Sequence, residues 1–260
     1  MTDTTTSNWQ NWSKSLPPSK AQVHTPENLE ALSSLVRSHS SGIRPVGSGH
    51  SWMPLVPSKT AIVKLDHFGG VGEIDEETQQ AWLGAGGRLH DLSPELADKG
   101  YAFRNLGDID VQTLAGATST GTHGTGETLQ ALAAEIQGLR LVTGTGEHIE
   151  ISADQNADWL DGGRVALGTL GILTEIKMQL VERFKLHRQV WPESHKHTLE
   201  NAERYWRENR NFEFFYIPFS DTNLLITHNV TEEPDTARND DNSTSAVMQL
   251  KSLRDALKWC

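Results

Sequence analysis

Two glycine-rich loops, each carrying a histidine, most constrain what this chain can fold into. They read "RPVGSGHSWMP" at residues 44–54 and "GATSTGTHGTGETL" at residues 116–129. Glycine lets backbone N–H groups approach an anion closely, and the hydroxyl side chains add further donors. Either loop alone also fits a glycine-rich turn without a ligand. Together they predict a site for a molecule with a diphosphate group.

The residues before the first loop predict a βαβ-like unit. A strand "AQVHT" at 21–25 precedes a helix for which Thr25 is the expected N-cap and Pro26 the first helical residue. Gly42 ends that helix, and a short strand "IRPVG" runs straight into the loop. His50 is therefore expected at the carboxyl end of a strand, where ligands collect in open α/β sheets.

The remaining pattern predicts a second, strand-rich region. The amino-acid composition then changes near residue 185, where we expect a domain boundary. Leu89, Leu92 and Leu96 form a helical stripe, and the runs on either side of Thr143–Gly146 predict a hairpin. The expected later elements are a strand within 168–183, a helix at 197–210, a hairpin around residues 220–222 and an amphipathic helix that begins at Ala246.

Composition and motifs exclude several classes of function. The formal net charge is −11 and no cluster of Lys and Arg occurs, which argues against nucleic acid as a partner. No run approaches the ~20 apolar residues of a membrane-spanning helix, membrane association is not indicated, and the polar start predicts a cytoplasmic protein. Walker and Rossmann motifs are absent, Ser119 lacks the first glycine of a GxSxG elbow, and no metal site is predicted.

Four motifs in order resemble one known family. They are "NWSKS" at 11–15, "PVGSGHSW" at 45–52, "GDIDVQTLAGATSTGTHGTG" at 107–126 and "GTLGILTEI" at 168–176. Together they resemble the FAD-linked oxidases of the vanillyl-alcohol oxidase superfamily. The likeness is closest to the sugar-1,4-lactone oxidases, the group that contains L-gulonolactone and D-arabinono-1,4-lactone oxidases.

The resemblance implies an α+β fold in two domains. Residues 8–185 would form a PCMH-type FAD-binding domain of two α+β subdomains, and residues 186–260 the start of a substrate-binding cap domain. The stretch "FEFFYIPFSDTNLLITHN" at 212–229 resembles the beginning of that cap. Family members continue further and carry an HWxK-like motif near their C-termini. The cap is therefore expected to be incomplete here, with the catalytic base outside this chain.

The resemblance also implies the cofactor site. FAD would be held covalently through His50, since the histidine of the "GSGHS" loop is the flavin-linked one in these enzymes. A neutral imidazole at the edge of a flat ring suits that chemistry. Asp108 matches a position near the substrate pocket of related polyol oxidases, where a short hydroxyl residue stands instead, and is a candidate substrate contact. The residues implied to bind the cofactor are Pro45, Val46, Gly47, Ser48, Gly49, His50, Ser51, Thr113, Gly116, Thr120, Gly121, Thr122, His123 and Ile172.

The reaction implied by the resemblance is oxidation of a sugar-1,4-lactone. A hydride would pass from the carbon that bears a hydroxyl to the flavin, and O2 would accept the electrons and form H2O2. Two alternatives share the same flavin loops: an alditol oxidase of the same superfamily, which acts on a polyol, and a flavin-binding protein without turnover.

Overall fold

The computed structural model describes residues 2–5 and 9–236, which form an α+β structure. The predicted fold class is confirmed. Its helices are α1 (Leu29–Ser38), α2 (Leu89–Asp98), α3 (Leu114–Ser119), α4 (Leu160–Arg164) and α5 (His195–Glu208). Its strands are β1 (Thr2–Thr5), β2 (Gln22–Pro26), β3 (Ile43–Val46), β4 (Ala61–Lys64), β5 (Val71–Asp75), β6 (Gln80–Gly84), β7 (Tyr101–Ala102), β8 (Ile136–Val142), β9 (His148–Ser152), β10 (Ile172–Gln179), β11 (Val181–Glu182), β12 (Lys185–Ser194), β13 (Asn211–Tyr216) and β14 (Thr222–Thr231).

The first sheet has the strand order β1-β2-β4-β3, and β2 and β3 each run parallel to β4. Helix α1 crosses over between β2 and β3, so the βαβ-like unit is confirmed. The predicted helix start was wrong. Pro26 is the last residue of β2, paired with β1, and Asn28 is the N-cap, its side chain accepting from the Ala31 N–H at 2.9 Å. The helix is capped by Asn28 instead, because strand pairing holds Thr25 and Pro26 extended.

The second sheet has the order β5-β6-β10-β8-β9 and is antiparallel throughout. The predicted strand and hairpin are β10 and the β8–β9 pair. The predicted leucine stripe of α2 is fully buried against this sheet and contributes to its main core. Burial alternates strictly along β10, because successive side chains of a strand point to opposite faces.

The third sheet, β12-β14-β13, begins at Lys185 and carries α5 on one face. Aromatic contacts fix the helix to that face, with Tyr205 packed edge-on against Trp191 at 5.8 Å and tilted against Phe212 at 5.5 Å. The predicted helix and hairpin are confirmed. The boundary near residue 185 stays a prediction, and the amphipathic helix expected from Ala246 lies outside the described residues.

Among the helices of residues 9–236, none has both the length and the apolar composition needed to cross a bilayer.

Candidate functional site

A deep cleft lies where the two glycine-rich loops meet. It spans about 1110 Å³ of empty space when the open solvent at its mouth is included. Both predicted loops line it. The predicted residues that the structure brings together here are Pro45, Val46, Gly47, Ser48, Gly49, His50, Ser51, Thr113, Gly116 and Thr120.

The first loop touches the segment at residues 111–113, which leads into α3 and the second loop. The Ser48 hydroxyl donates to the Val111 carbonyl. Thr113 is the N-cap of α3, and its Oγ1 accepts from the Gly116 N–H at 3.1 Å. A Cβ atom placed on Gly47 would overlap Thr113 Oγ1, so only glycine allows this approach.

The cleft is free of acidic groups in a strongly acidic chain. Among the described residues, no Asp or Glu lines it, and Arg44 is its one permanently charged side chain. Arg44 Nε donates to the Leu55 carbonyl at 3.0 Å, and its guanidinium forms no ion pair within residues 9–236. The local electrostatics therefore favour an anion such as a diphosphate.

One buried acceptor in the cleft wall has no partner. Gln112 Nε2 donates to Thr122 Oγ1 at 3.2 Å, but Gln112 Oε1 is buried and accepts no hydrogen bond within the described chain. An unmatched buried acceptor is costly, so a polar ligand donor at this position would stabilise the site. The rest of the wall is largely apolar, with Leu55, Val56, Leu65, Leu170 and Leu173.

Five of the predicted residues lie elsewhere. Gly121 and Thr122 form the turn after α3 and do not line the cleft. Ile172 is 3% exposed and pairs with Val142 in the sheet, whereas its neighbours Gly171 and Leu173 do line the cleft. His123 and Asp108 line a second cavity. The roles of these residues stay predictions.

Several lining residues were missed from sequence. Arg44 and Gln112 sit within or beside the quoted motifs, where charge or amide chemistry could have marked them. Ala85, Gly86 and the residues around α4 enter the cleft only through tertiary packing. The lining residues from the α4 region are Gly163, Ala166, Leu167, Gly168, Leu170 and Gly171.

The second cavity, about 1010 Å³ to its mouth, lies between the loop at 103–108 and the third sheet. Glu213 on β13 and Asp108 face it together. Burial and then the charge and hydrogen bond of Asp108 raise the pKa of Glu213, against a smaller opposing effect of Arg188. Burial and then Arg188 lower the pKa of His228. The cavity thus holds two neighbouring carboxyl groups, of which Glu213 has a raised pKa, beside a histidine whose pKa is lowered.

The raised pKa of Glu213 gives a pH-dependent stability. A raised folded-state pKa stabilises the fold fully below the unfolded value of about 4.3, and this stabilisation is lost as pH rises through the folded pKa. Glu213→Gln is permanently neutral. We expect the melting temperature of the unsubstituted chain, relative to Glu213→Gln, to fall as pH rises through that window. Differential scanning fluorimetry across pH measures this, with exposed Glu76→Gln as the control; a difference that stays flat would contradict the raised pKa of Glu213.

The sequence profile of a family described as "FAD binding domain" matches residues 17–152, half of the chain. The chain belongs to this FAD-binding family. A second profile, described as "D-arabinono-1,4-lactone oxidase", matches residues 176–259. The four-motif resemblance to FAD-linked sugar-lactone enzymes is thereby confirmed.

Curated relatives carry the same likeness. An L-gulono-1,4-lactone dehydrogenase of Mycobacterium tuberculosis is 34% identical over 230 residues, covering 87% of this chain and 53% of that protein. An L-gulonolactone oxidase of Mus musculus is 29% identical, over 89% of this chain and 53% of that protein. The chain spans about half the length of these relatives, which include both oxidases and dehydrogenases.

Solved structures share the fold. Cholesterol oxidase from Brevibacterium sterolicum superposes with a TM-score of 0.81 at 20% identity, over 91% of this chain and 50% of that one. An alkyldihydroxyacetonephosphate synthase gives a TM-score of 0.71 at 16% identity, over 84% of this chain and 48% of that one. At these identities the likeness concerns the fold alone.

Proposed function

We propose that this chain is the FAD-binding part of a sugar-1,4-lactone oxidoreductase. The observation that carries the proposal is the cleft lined by both glycine loops, in which the described residues include no acidic group and Arg44 forms no ion pair with them. The family profile and the named relatives support it. The domain limits we propose are residues 8–185 for the FAD-binding domain and 186–260 for the start of the cap.

The chain's own residues fit an extended dinucleotide. Backbone groups of Gly47 to Ser51 and the Arg44 guanidinium would hold the diphosphate, and Gln112 Oε1 would be available to a donor of the cofactor. The apolar wall excludes water from the flat ring. FAD supplies hydride acceptance when it is bound. We further propose that His50 holds it covalently.

The substrate we propose is a sugar-1,4-lactone, of the D-arabinono, L-gulono or L-galactono type, with O2 as the acceptor. The relatives' names support the lactone, and the profile match at 176–259 extends that support across the third sheet. We assign Asp108 to contact a substrate hydroxyl from the second cavity, where its carboxyl group lies beside that of Glu213 and offers acceptor oxygens.

A substrate and acceptor panel tests this proposal. The chain is loaded with FAD, its flavin absorbance recorded, and each lactone or alditol is added either in air, with peroxide detection, or without oxygen, with a dye as electron acceptor. We expect flavin bleaching and peroxide with lactones. Dye reduction without peroxide would mean that the electron acceptor is a molecule other than O2. Turnover of alditols alone would mean that the substrate is an alditol and not a lactone. Bound FAD with no bleaching by any compound would leave a flavin-binding protein, and a colourless chain would remove the proposal altogether.

A further inference from the structure

The residues that follow Trp9 fold over the loop that carries His50. The Ser19 N–H donates to the Trp9 carbonyl at 2.7 Å and closes this segment, residues 9–19, which we call the N-terminal clasp. The Trp12 N–H donates to the Gly49 carbonyl at 2.9 Å, and Asn11 Nδ2 donates to a carbonyl of the same loop at 3.2 Å. The clasp therefore holds the backbone on both sides of His50.

The clasp also touches the histidine ring. The indole of Trp12 stacks on the imidazole of His50, with ring centroids 4.9 Å apart and planes 17° from parallel. Neither imidazole nitrogen hydrogen-bonds another residue of the described chain. The stack is therefore the side-chain contact that sets the orientation of this ring, while both nitrogens stay available for chemistry.

We propose that Trp12 is a positioning residue that orients the His50 imidazole for covalent attachment of FAD. This inference rests on the proposed function. In the attachment, an imidazole nitrogen of His50 forms a bond to the 8α carbon, and an imidazole N–H bond and a methyl C–H bond break. The two electrons and two protons released go to dioxygen, which leaves as hydrogen peroxide. Trp12 takes no part in bond making.

The exposure of Trp12 indicates that it orients His50 and does not serve as a core residue. Trp12 is 65% exposed, so it contributes little to a core, and its one ring contact within the described part of the chain is with His50. A histidine on a glycine loop otherwise samples several rotamers, and only some place a nitrogen at the edge of the cofactor ring. Aromatic pairing of this strength corresponds to a rate effect on the order of fivefold to tenfold.

The test measures the rate of covalent attachment. Chain prepared flavin-free from riboflavin-starved cells is mixed with FAD in air, and samples are denatured at intervals and scored for flavin fluorescence on the polypeptide. We expect Trp12→Ala to attach FAD about fivefold to tenfold more slowly. Trp12→Phe, which keeps a stacking ring, should recover most of the rate. Trp52→Ala is the matched control, since Trp52 is 66% exposed, lies in the same loop as His50 and stacks on no described ring.

Two further measurements, NMR of the His50 ring and the melting temperature, distinguish the possible outcomes. The His50 ring protons should lose an upfield ring-current shift in Trp12→Ala, and the melting temperature should match that of Trp52→Ala. Equal attachment rates in the unsubstituted chain and Trp12→Ala would overturn the inference while leaving FAD binding intact. A rate lost equally in Trp12→Phe would also overturn it. An unsubstituted chain that releases all its FAD in acid would overturn covalent attachment and this inference together, and a chain that binds no FAD would overturn the proposed function itself.

Discussion

His50→Ala is expected to move the yellow colour from the acid-precipitated protein to the supernatant. In the unsubstituted chain the colour should stay with the pellet, because acid unfolds the protein but leaves a carbon–nitrogen bond intact. Alanine removes the one imidazole that the described residues contribute to the cleft lining, so bound FAD would be held by noncovalent contacts alone. The expected change is from essentially complete retention to none.

Two other histidines serve as controls for this experiment. His67 is exposed and lines neither cavity, so His67→Ala should retain the colour in the pellet. His123 lies in the other glycine loop but faces the second cavity, and His123→Ala tests whether it is the attachment point instead. A coloured pellet with His50→Ala, or a colourless one with His123→Ala, would assign the linkage elsewhere.

Gly47→Ala is expected to weaken FAD binding by roughly fivefold to a hundredfold. The new Cβ would overlap Thr113 Oγ1, so either the first loop or the cap of α3 must move. Overpacking of this kind costs ~1–3 kcal/mol, and loss of an N-cap costs about 1 kcal/mol more. Each ~1.4 kcal/mol lost from binding lowers affinity tenfold. Titration of FAD in a His50→Ala background measures the reversible affinity.

Gly144→Ala is the matched control. Gly144 lies in the turn between β8 and β9, and an added Cβ there meets nothing within 4 Å. Neither Gly47 nor Gly144 has a positive φ, so backbone strain does not separate the two variants. Equal FAD affinity in both would mean that the close contact between Gly47 and Thr113 is unimportant for the site.

Local chemistry explains what the sequence predicted well. The α2 stripe and the alternation along β10 are dictated by the periods of helix and strand, so both elements were found. The start of α1 was misplaced because Thr25 and Asn28 are both good N-caps. The choice between them is made by the pairing of Pro26 with β1, which no local pattern contains.

In the candidate site, too, the sequence predicted the residues with a local backbone role and missed those that arrive by packing. The glycine loops were found because glycine has a direct backbone role, whereas Gly163 and Gly168 reach the cleft only through packing around β10. Ile172 shows the limit most clearly. One step along a strand turns a side chain to the opposite face, so the motif located the right segment while its neighbours, Gly171 and Leu173, line the cleft.

The cleft is built from both halves of the FAD-binding region. The loop after β3 extends from the parallel strands of the first sheet, while α3 and the residues around α4 are packed on the second. A molecule bound between them contacts both sheets. Separating the sheets would therefore break its contacts with one of them. Its binding free energy therefore stabilises the association of the two halves. The chain with the molecule bound should have a higher melting temperature than the chain without it.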